Sequence, residues 1–91
     1  MANIARVVAT EQWQNLEDVI EGFSPEVDSQ YELQNIGSGI LLIYEGAEAP
    51  TDIDGFVVGL HKVAKLTKKS ADEYWFVRAL TDTTVLNLGT L

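Results

Sequence analysis

The residues with the clearest chemical potential lie mid-chain, where the sequence DIDG at residues 52–55 spaces two carboxylates as a calcium-binding loop does. In the EF-hand pattern that glycine is the sixth residue, which places Pro50 at the first ligand position and His61 at the last. Proline has no side-chain oxygen and the last position requires a bidentate glutamate, so the spacing excludes an EF-hand. A looser cation site made of carboxylates and carbonyl groups within residues 45–54 stays open as an alternative.

Other candidate sites also have simpler structural readings. His61 could serve as a general base, but no serine or cysteine motif accompanies it and no paired acid is identifiable, which favours a surface or strand-edge histidine. The sequence GSG at residues 37–39 is too short to cradle a phosphate and precedes neither a helix nor a lysine, which favours a plain turn. The absence of cysteine excludes disulfides and thiolate zinc sites. We therefore expect no enzyme activity, no cofactor and no bound metal.

Three consecutive aromatic residues, Tyr74, Trp75 and Phe76, could stack on sugars or bases. Alternation along a strand sends Tyr74 and Phe76 to one face and Trp75 to the other, so the three rings cannot form one flat platform. We expect Trp75 in the core, which leaves at most one face of this strand as a binding surface.

Charge is unevenly distributed along the chain, with 14 acidic against 6 basic residues and a net charge of −8. The only cation before residue 62 is Arg6, and four basic residues then fall within eight positions: Lys62, Lys65, Lys68 and Lys69. A chain of this net charge is repelled by nucleic acid, so we expect no nucleic-acid partner. The lysines predict either a solvated strand edge that resists edge-to-edge pairing or a contact with an acidic neighbour, such as another copy of this chain.

The length of 91 residues predicts a single domain over residues 1–91. With 46% hydrophobic residues the chain should fold, but a domain of this size buries a thin core, which suggests that oligomerisation or docking adds stability. No apolar segment is long enough for a signal peptide or a membrane span, so we expect no membrane partner and action where the chain is made or where assembly carries it.

The periodicity of apolar residues predicts a mainly β fold, namely a small antiparallel sandwich or barrel of five to seven short strands. Residues 30–55 read as a strand, a tight turn and a second strand, that is a hairpin, followed by an acidic loop. Residues 56–67 read as one kinked strand or two short ones, and residues 74–80 as the strongest strand. One helix is expected at about residues 11–21, capped by Thr10 and ended by Gly22, because apolar residues recur there at helical spacing.

Several short motifs resemble a pattern found in small virion proteins of tailed bacteriophages. They are Y-x-L-Q-N at residues 31–35, L-x-Y-E at residues 42–45, A-P-T at residues 49–51 and the aromatic strand Y-W-F-V-R-A at residues 74–79. The resemblance runs from about residue 12 onward. The aromatic strand is heavier than in that pattern, and the lysine-rich segment replaces a more neutral one.

This resemblance implies a non-enzymatic structural protein of the virion, made in the host cytoplasm, that decorates the capsid or serves as a head–tail or tail accessory. Its expected partners are other virion proteins and copies of itself, and the homo-oligomer expected first is a trimer. The alternative is a free-standing sandwich that binds a host glycan or protein through the aromatic strand or the acidic loop. The candidate interaction residues are the charged ones of the acidic loop and the lysine-rich segment: Glu45, Glu48, Asp52, Asp54, Lys62, Lys65, Lys68 and Lys69.

Overall fold

Alternating apolar side chains organise this chain into strands over most of its length. A computed structural model of the protein describes residues 3–91. In chain order the elements are β1 (Asn3–Ala9), β2 (Gln14–Asn15), α1 (Leu16–Val19), β3 (Gln30–Asn35), β4 (Leu41–Gly46), β5 (Phe56–Val58), β6 (Val63–Thr67), β7 (Tyr74–Ala79) and β8 (Thr84–Thr90). The strands form two four-stranded antiparallel sheets: sheet A in the order β1-β8-β3-β6 and sheet B in the order β2-β7-β4-β5. The predicted mainly β sandwich is confirmed, with β2 as a short strand that the sequence did not reveal.

The core lies between the two sheets and follows from period-two alternation. Sheet A contributes Leu33, Leu86 and Leu88, and sheet B contributes Leu41 and Val77; all five are fully buried. Register places Leu33 opposite Leu88, so their side chains share one face of the sheet. Burial of such apolar area supplies the main driving force for folding.

The helix is much shorter than the predicted span of residues 11–21. It begins after Asn15, whose side-chain oxygen accepts a hydrogen bond from the Glu17 N–H at 3.0 Å, and it ends at Val19. Gln14 and Asn15 pair instead with β7 and provide an outer neighbour for that strand. Burial of Leu16 fits the predicted apolar face, but a short helix followed by a turn produces the same spacing as a long helix.

The predicted hairpin at residues 30–55 is wrong in its pairing. Both strands exist, but β3 pairs with β6 and β8 in sheet A, whereas β4 pairs with β5 and β7 in sheet B. The turn between them therefore carries the chain from one sheet to the other. This crossing is fixed at Asn35, whose side chain bonds the turn and the ends of β5 and β8. A turn-rich sequence reveals that the chain changes direction, but it does not specify the next pairing partner.

The aromatic strand behaves as its alternation predicts. Trp75 is 3% exposed and packs in the core, where its ring lies 5.7 Å from that of Tyr31 and 6.2 Å from that of Phe23. Tyr74 and Phe76 lie on the outer face of sheet B with their ring centroids 6.5 Å apart. Of the two readings of residues 56–67, the structure has two short strands, β5 and β6, one in each sheet.

Candidate protein-interaction site

The β5–β6 edge, defined as residues 53–67, is one of the two sides of the sandwich at which each sheet ends in an edge strand. β5 is the last strand of sheet B and β6 the last strand of sheet A. Between them an apolar groove opens, with a cavity volume of about 270 Å³. Its apolar walls are Ile43, Phe56, Ala64 and Leu66, and the charged Glu45, Lys65 and Lys69 also line it. The two sheets are therefore not closed over each other along this edge.

Of the eleven large apolar side chains that are exposed within residues 3–91, five lie on this edge. These five are Ile53, Phe56, Val57, Leu60 and Val63, and the other six are spread over the rest of the described chain. Phe56 is 75% exposed and Val57 is 67% exposed, although both lie within a strand. Exposed apolar side chains on an edge strand are typical of a surface that contacts another protein.

Strand alternation explains why Phe56 is exposed. Phe56 pairs with Ile43 of β4, whose side chain points into the core, so Phe56 also faces the space between the sheets. No strand follows β5 in sheet B within residues 3–91, so the ring lies at the mouth of the groove with nothing beyond it. Val57 pairs with Leu42 and points to the outer face of the same edge.

The position of β5 is fixed at both ends by close backbone contacts. Gly55 has φ +104°, and a Cβ there would lie 2.2 Å from the carbonyl oxygen of Ile43, so only glycine fits before the strand. At the other end, the Val58 carbonyl accepts a hydrogen bond from the Asn35 side-chain amide at 2.9 Å. The exposed residues Phe56 and Val57 are thus held on a fixed backbone.

The predicted acidic residues do not form one cluster. Glu45, on β4, accepts a hydrogen bond from the Trp75 indole at 2.8 Å and lies 3.3 Å from the Lys69 ammonium. Glu48 and Asp54 are exposed on the loop between β4 and β5. Asp52 is also exposed on this loop, and its carboxylate accepts from the next backbone N–H at 2.7 Å. Within residues 3–91, no three acidic, histidine or cysteine side chains are grouped to hold a metal ion.

The four predicted lysines divide into two classes. Lys62, Lys65 and Lys69 are exposed, and Lys65 projects from the edge strand β6, as expected for a charge that protects a strand edge. Lys68 is only 3% exposed. Its ammonium lies 3.0 Å from the Glu17 carboxylate, donates to the Glu73 carbonyl at 2.6 Å and sits 4.7 Å from the centre of the Tyr74 ring. Lys68 therefore joins α1 to the loop before β7 inside the fold.

Trp13 is a contact residue of the acidic loop that the sequence did not identify. Its indole N–H donates to the backbone carbonyl of Asp52 at 3.0 Å, and its ring packs edge-on against Tyr44 at 6.3 Å. Arg78 lies over the same Trp13 ring, with its guanidinium carbon 5.9 Å from the ring centre. The loop between β4 and β5 is thereby held against the outer face of sheet B.

His61 and the GSG segment occupy structural positions. His61 is exposed in the turn between β5 and β6 with φ +59°, and its backbone N–H donates to the Asn35 carbonyl at 2.9 Å. Gly37 packs so tightly against β8 that an added Cβ would lie 2.4 Å from the Thr84 hydroxyl. The segment is therefore the turn that carries the chain between the sheets.

Two further findings concern the whole described chain. Over residues 3–91 the longest helix has four residues, which is far below the length needed to cross a bilayer. We found no protein-family model, no curated protein and no solved structure with a significant match to this chain.

Proposed function

We propose that this protein is a non-enzymatic structural protein of a tailed-bacteriophage virion, made in the host cytoplasm. In this role it decorates and stabilises the capsid or serves as a head–tail or tail accessory. It assembles through symmetric contacts with copies of itself and through contacts with other virion proteins. The motifs at residues 31–35, 42–45, 49–51 and 74–79 supply the reason for choosing the virion.

The observation that carries the proposal is the exposed apolar surface of the β5–β6 edge. A small monomeric domain gains nothing in solution from a phenylalanine that is 75% exposed on a free strand, whereas an assembly subunit buries it in a contact. The same edge leaves a groove open between the sheets. A neighbouring subunit that closes this groove completes a core that 91 residues fill only thinly.

The charge of the chain supports the same role. A net charge of −8 repels the packaged nucleic acid and favours contacts with protein. The exposed Lys62, Lys65 and Lys69 give this acidic molecule one local basic region that an acidic neighbour can contact.

Binding to particles tests the proposal directly. The purified chain is mixed with phage particles assembled without it, and the particles are sedimented and analysed by quantitative mass spectrometry. We expect the chain to co-sediment. Its copy number per particle should be in the hundreds if it decorates the capsid, and should equal the number of subunits in one ring if it lies at a connector. A chain that stays in the supernatant and is missing from purified wild-type virions contradicts the proposal.

The second candidate, a free-standing recognition module, has one specific observation in its favour. The outer face of sheet B presents the half-buried rings of Trp13, Tyr44 and Tyr74, and such rings can stack on sugars. A glycan array separates the two functions. The recognition module is supported if the chain binds a glycan, loses that binding in Trp13→Ala and does not co-sediment with particles. No binding on the array together with co-sedimentation supports the virion role.

A further inference from the structure

We propose that the β5–β6 edge is the contact between two copies of this chain, related by a two-fold axis beside Val57. The two β5 strands then run antiparallel and join the two B sheets into one continuous sheet. This inference rests on the proposed role as an assembly subunit and names the first partner in that assembly as a second copy. A two-fold contact is self-complementary, so a single surface is sufficient for both partners.

A comparison of the four edge strands singles out β5. Sheet A ends in β1 and β6, and sheet B ends in β2 and β5. The exposed Arg6 lies on β1 and the exposed Lys65 on β6, while β2 is only two residues long. Charges on the strand and very short strands are the usual means of preventing edge-to-edge pairing. β5 is also short, with three residues, but all three are apolar and it carries neither a charge nor a proline, which sets it apart from the charged edge strands β1 and β6.

Charge placement around β5 favours an antiparallel partner. The exposed carboxylate of Asp54 precedes the strand, and the exposed ammonium of Lys62 follows it after a short turn. Antiparallel pairing about Val57 places the Asp54 end of one strand beside the Lys62 end of the other, and the symmetry repeats this arrangement twice. Parallel pairing would place like charges together. Because each chain has a net charge of −8, association needs such local complementarity to offset general repulsion.

The same pairing covers the apolar side chains of the edge. The partner strand extends sheet B beyond Phe56, on the side where the sheet now ends. The Phe56 ring, which faces the space between the sheets, then packs against the inner-facing Val58 of the partner, and the groove is closed. Val57, the central residue of β5, lies opposite its own copy, where its exposed side chain is shielded on the outer face. Burial of these groups supplies the free energy of association.

Crosslinking at the axis tests the geometry. The chain has no cysteine, so Val57→Cys introduces the only thiol. Directly opposed residues of antiparallel strands have Cα atoms about 4.5–5.5 Å apart, within the range of a disulfide. We expect Val57→Cys to form a disulfide-linked dimer under mild oxidation at least about 10-fold faster than Val8→Cys, because pairing raises the local thiol concentration. Val8 is the matched control, a valine that is 57% exposed on β1. Equal crosslinking rates overturn the proposal.

Charge exchange tests the pairing of the strand ends without altering the apolar edge. The mass of the native chain in solution is expected to be roughly twice its 10.0 kDa monomer mass. Asp54→Lys and Lys62→Asp should each raise the dimer dissociation constant about 10-fold, and the double variant should return it to within about 3-fold of the native value. A double variant whose dimer dissociation constant is not lower than those of the single variants contradicts the antiparallel arrangement. A native chain that is a monomer at high concentration, or a trimer, contradicts the two-fold dimer.

The outcomes separate this inference from the virion role. A chain that is monomeric in solution and crosslinks no faster than its control, yet co-sediments with particles, overturns the dimer and leaves the virion role standing. A two-fold dimer that does not co-sediment with particles establishes the contact and contradicts the virion role. A monomer whose β5 instead pairs with a strand of another virion protein, detected as a Val57→Cys crosslink to that protein, assigns the edge to a different partner and overturns the dimer.

Discussion

Two regions that meet at β5 differ in how completely the chain itself covers and pairs their side chains. At the Asn35 junction, defined as Asn35, Gly37, Gly39, Val58 and Thr84, a buried amide makes a hydrogen bond with every polar atom it offers. Its amide group donates to the carbonyls of Gly39 and Val58, and its oxygen accepts from the Gly37 N–H and the Thr84 hydroxyl. At the β5–β6 edge, two residues away, Phe56 remains largely uncovered.

The difference shows which region is complete within one chain. Buried polar groups are expensive unless paired, and the Asn35 junction pairs all of them without help from another molecule. Apolar groups that stay exposed add little to the free energy of unfolding of the single chain, but they stabilise a contact when a partner covers them. The Asn35 junction therefore serves folding, and the edge serves association.

The largest expected effect follows from loss of the Asn35 amide. Asn35→Leu keeps the approximate volume but removes the side-chain donor of the Val58 carbonyl, whereas the Gly37 N–H keeps the Val85 carbonyl at 3.0 Å and the Thr84 hydroxyl keeps the Gly39 carbonyl at 3.3 Å. Because the unsatisfied Val58 carbonyl costs about 1–3 kcal/mol and the bonds of Asn35 to the turn and to Thr84 are lost as well, we expect a loss of about 2–4 kcal/mol. Urea unfolding measures it, with Gln34→Leu on the outer face as the control. A loss below about 1 kcal/mol would show that the junction does not hold the fold together.

The next effect concerns the close approach of Gly37 to β8. In Gly37→Ala the new methyl group would lie 2.4 Å from both the Thr84 hydroxyl and the Val85 backbone nitrogen. The turn has to shift away from β8, and such overpacking costs about 1–3 kcal/mol. Gly59→Ala is the control, since its methyl group would meet only the Lys62 side chain at 3.7 Å. Equal free energies of unfolding for the two variants would contradict tight packing at the Asn35 junction.

A smaller effect is expected from the two lysines that resemble each other in sequence but not in surroundings. Lys68→Met removes the buried ammonium that bonds Glu17 and the Glu73 carbonyl, and we expect a loss of about 1–2 kcal/mol. Lys65→Met on the edge strand should change the free energy of unfolding by less than about 0.5 kcal/mol. Thermal unfolding of both variants measures this, and the reverse order would contradict the assignment of Lys68 to the interior.

Much of the sheet could be predicted because alternation is a local signal. Trp75 was expected in the core from the alternation of its strand, and it is buried. Strand pairing is not local, which is why residues 30–55 suggested a hairpin although β3 and β4 belong to different sheets. The helix was overestimated because the spacing of apolar residues does not reveal that Gln14 pairs with β7.

The interaction site was less predictable than the fold. Charge alone directed attention to the loop of residues 45–54 and to the lysines, and it could not distinguish the buried Lys68 from the exposed Lys65. Phe56 and Val57 begin a continuous apolar run, which usually indicates a buried strand. Their exposure depends on the order of strands in the sheet, because β5 is the last one, and that order is not written in the local sequence.

The smallest effect on monomer stability is expected at Phe56 itself. Phe56→Thr keeps a residue that suits strands and should change the free energy of unfolding of the monomer by less than about 0.5 kcal/mol. Phe76→Thr, the same change at a ring that is 8% exposed, should cost about 3 kcal/mol.

In the native chain the unfolding midpoint should rise with protein concentration, because association stabilises the folded state by mass action. In Phe56→Thr that dependence should disappear. A native midpoint that does not vary with concentration would show that the edge stays uncovered, and the contrast with the Asn35 junction would then lose its functional meaning.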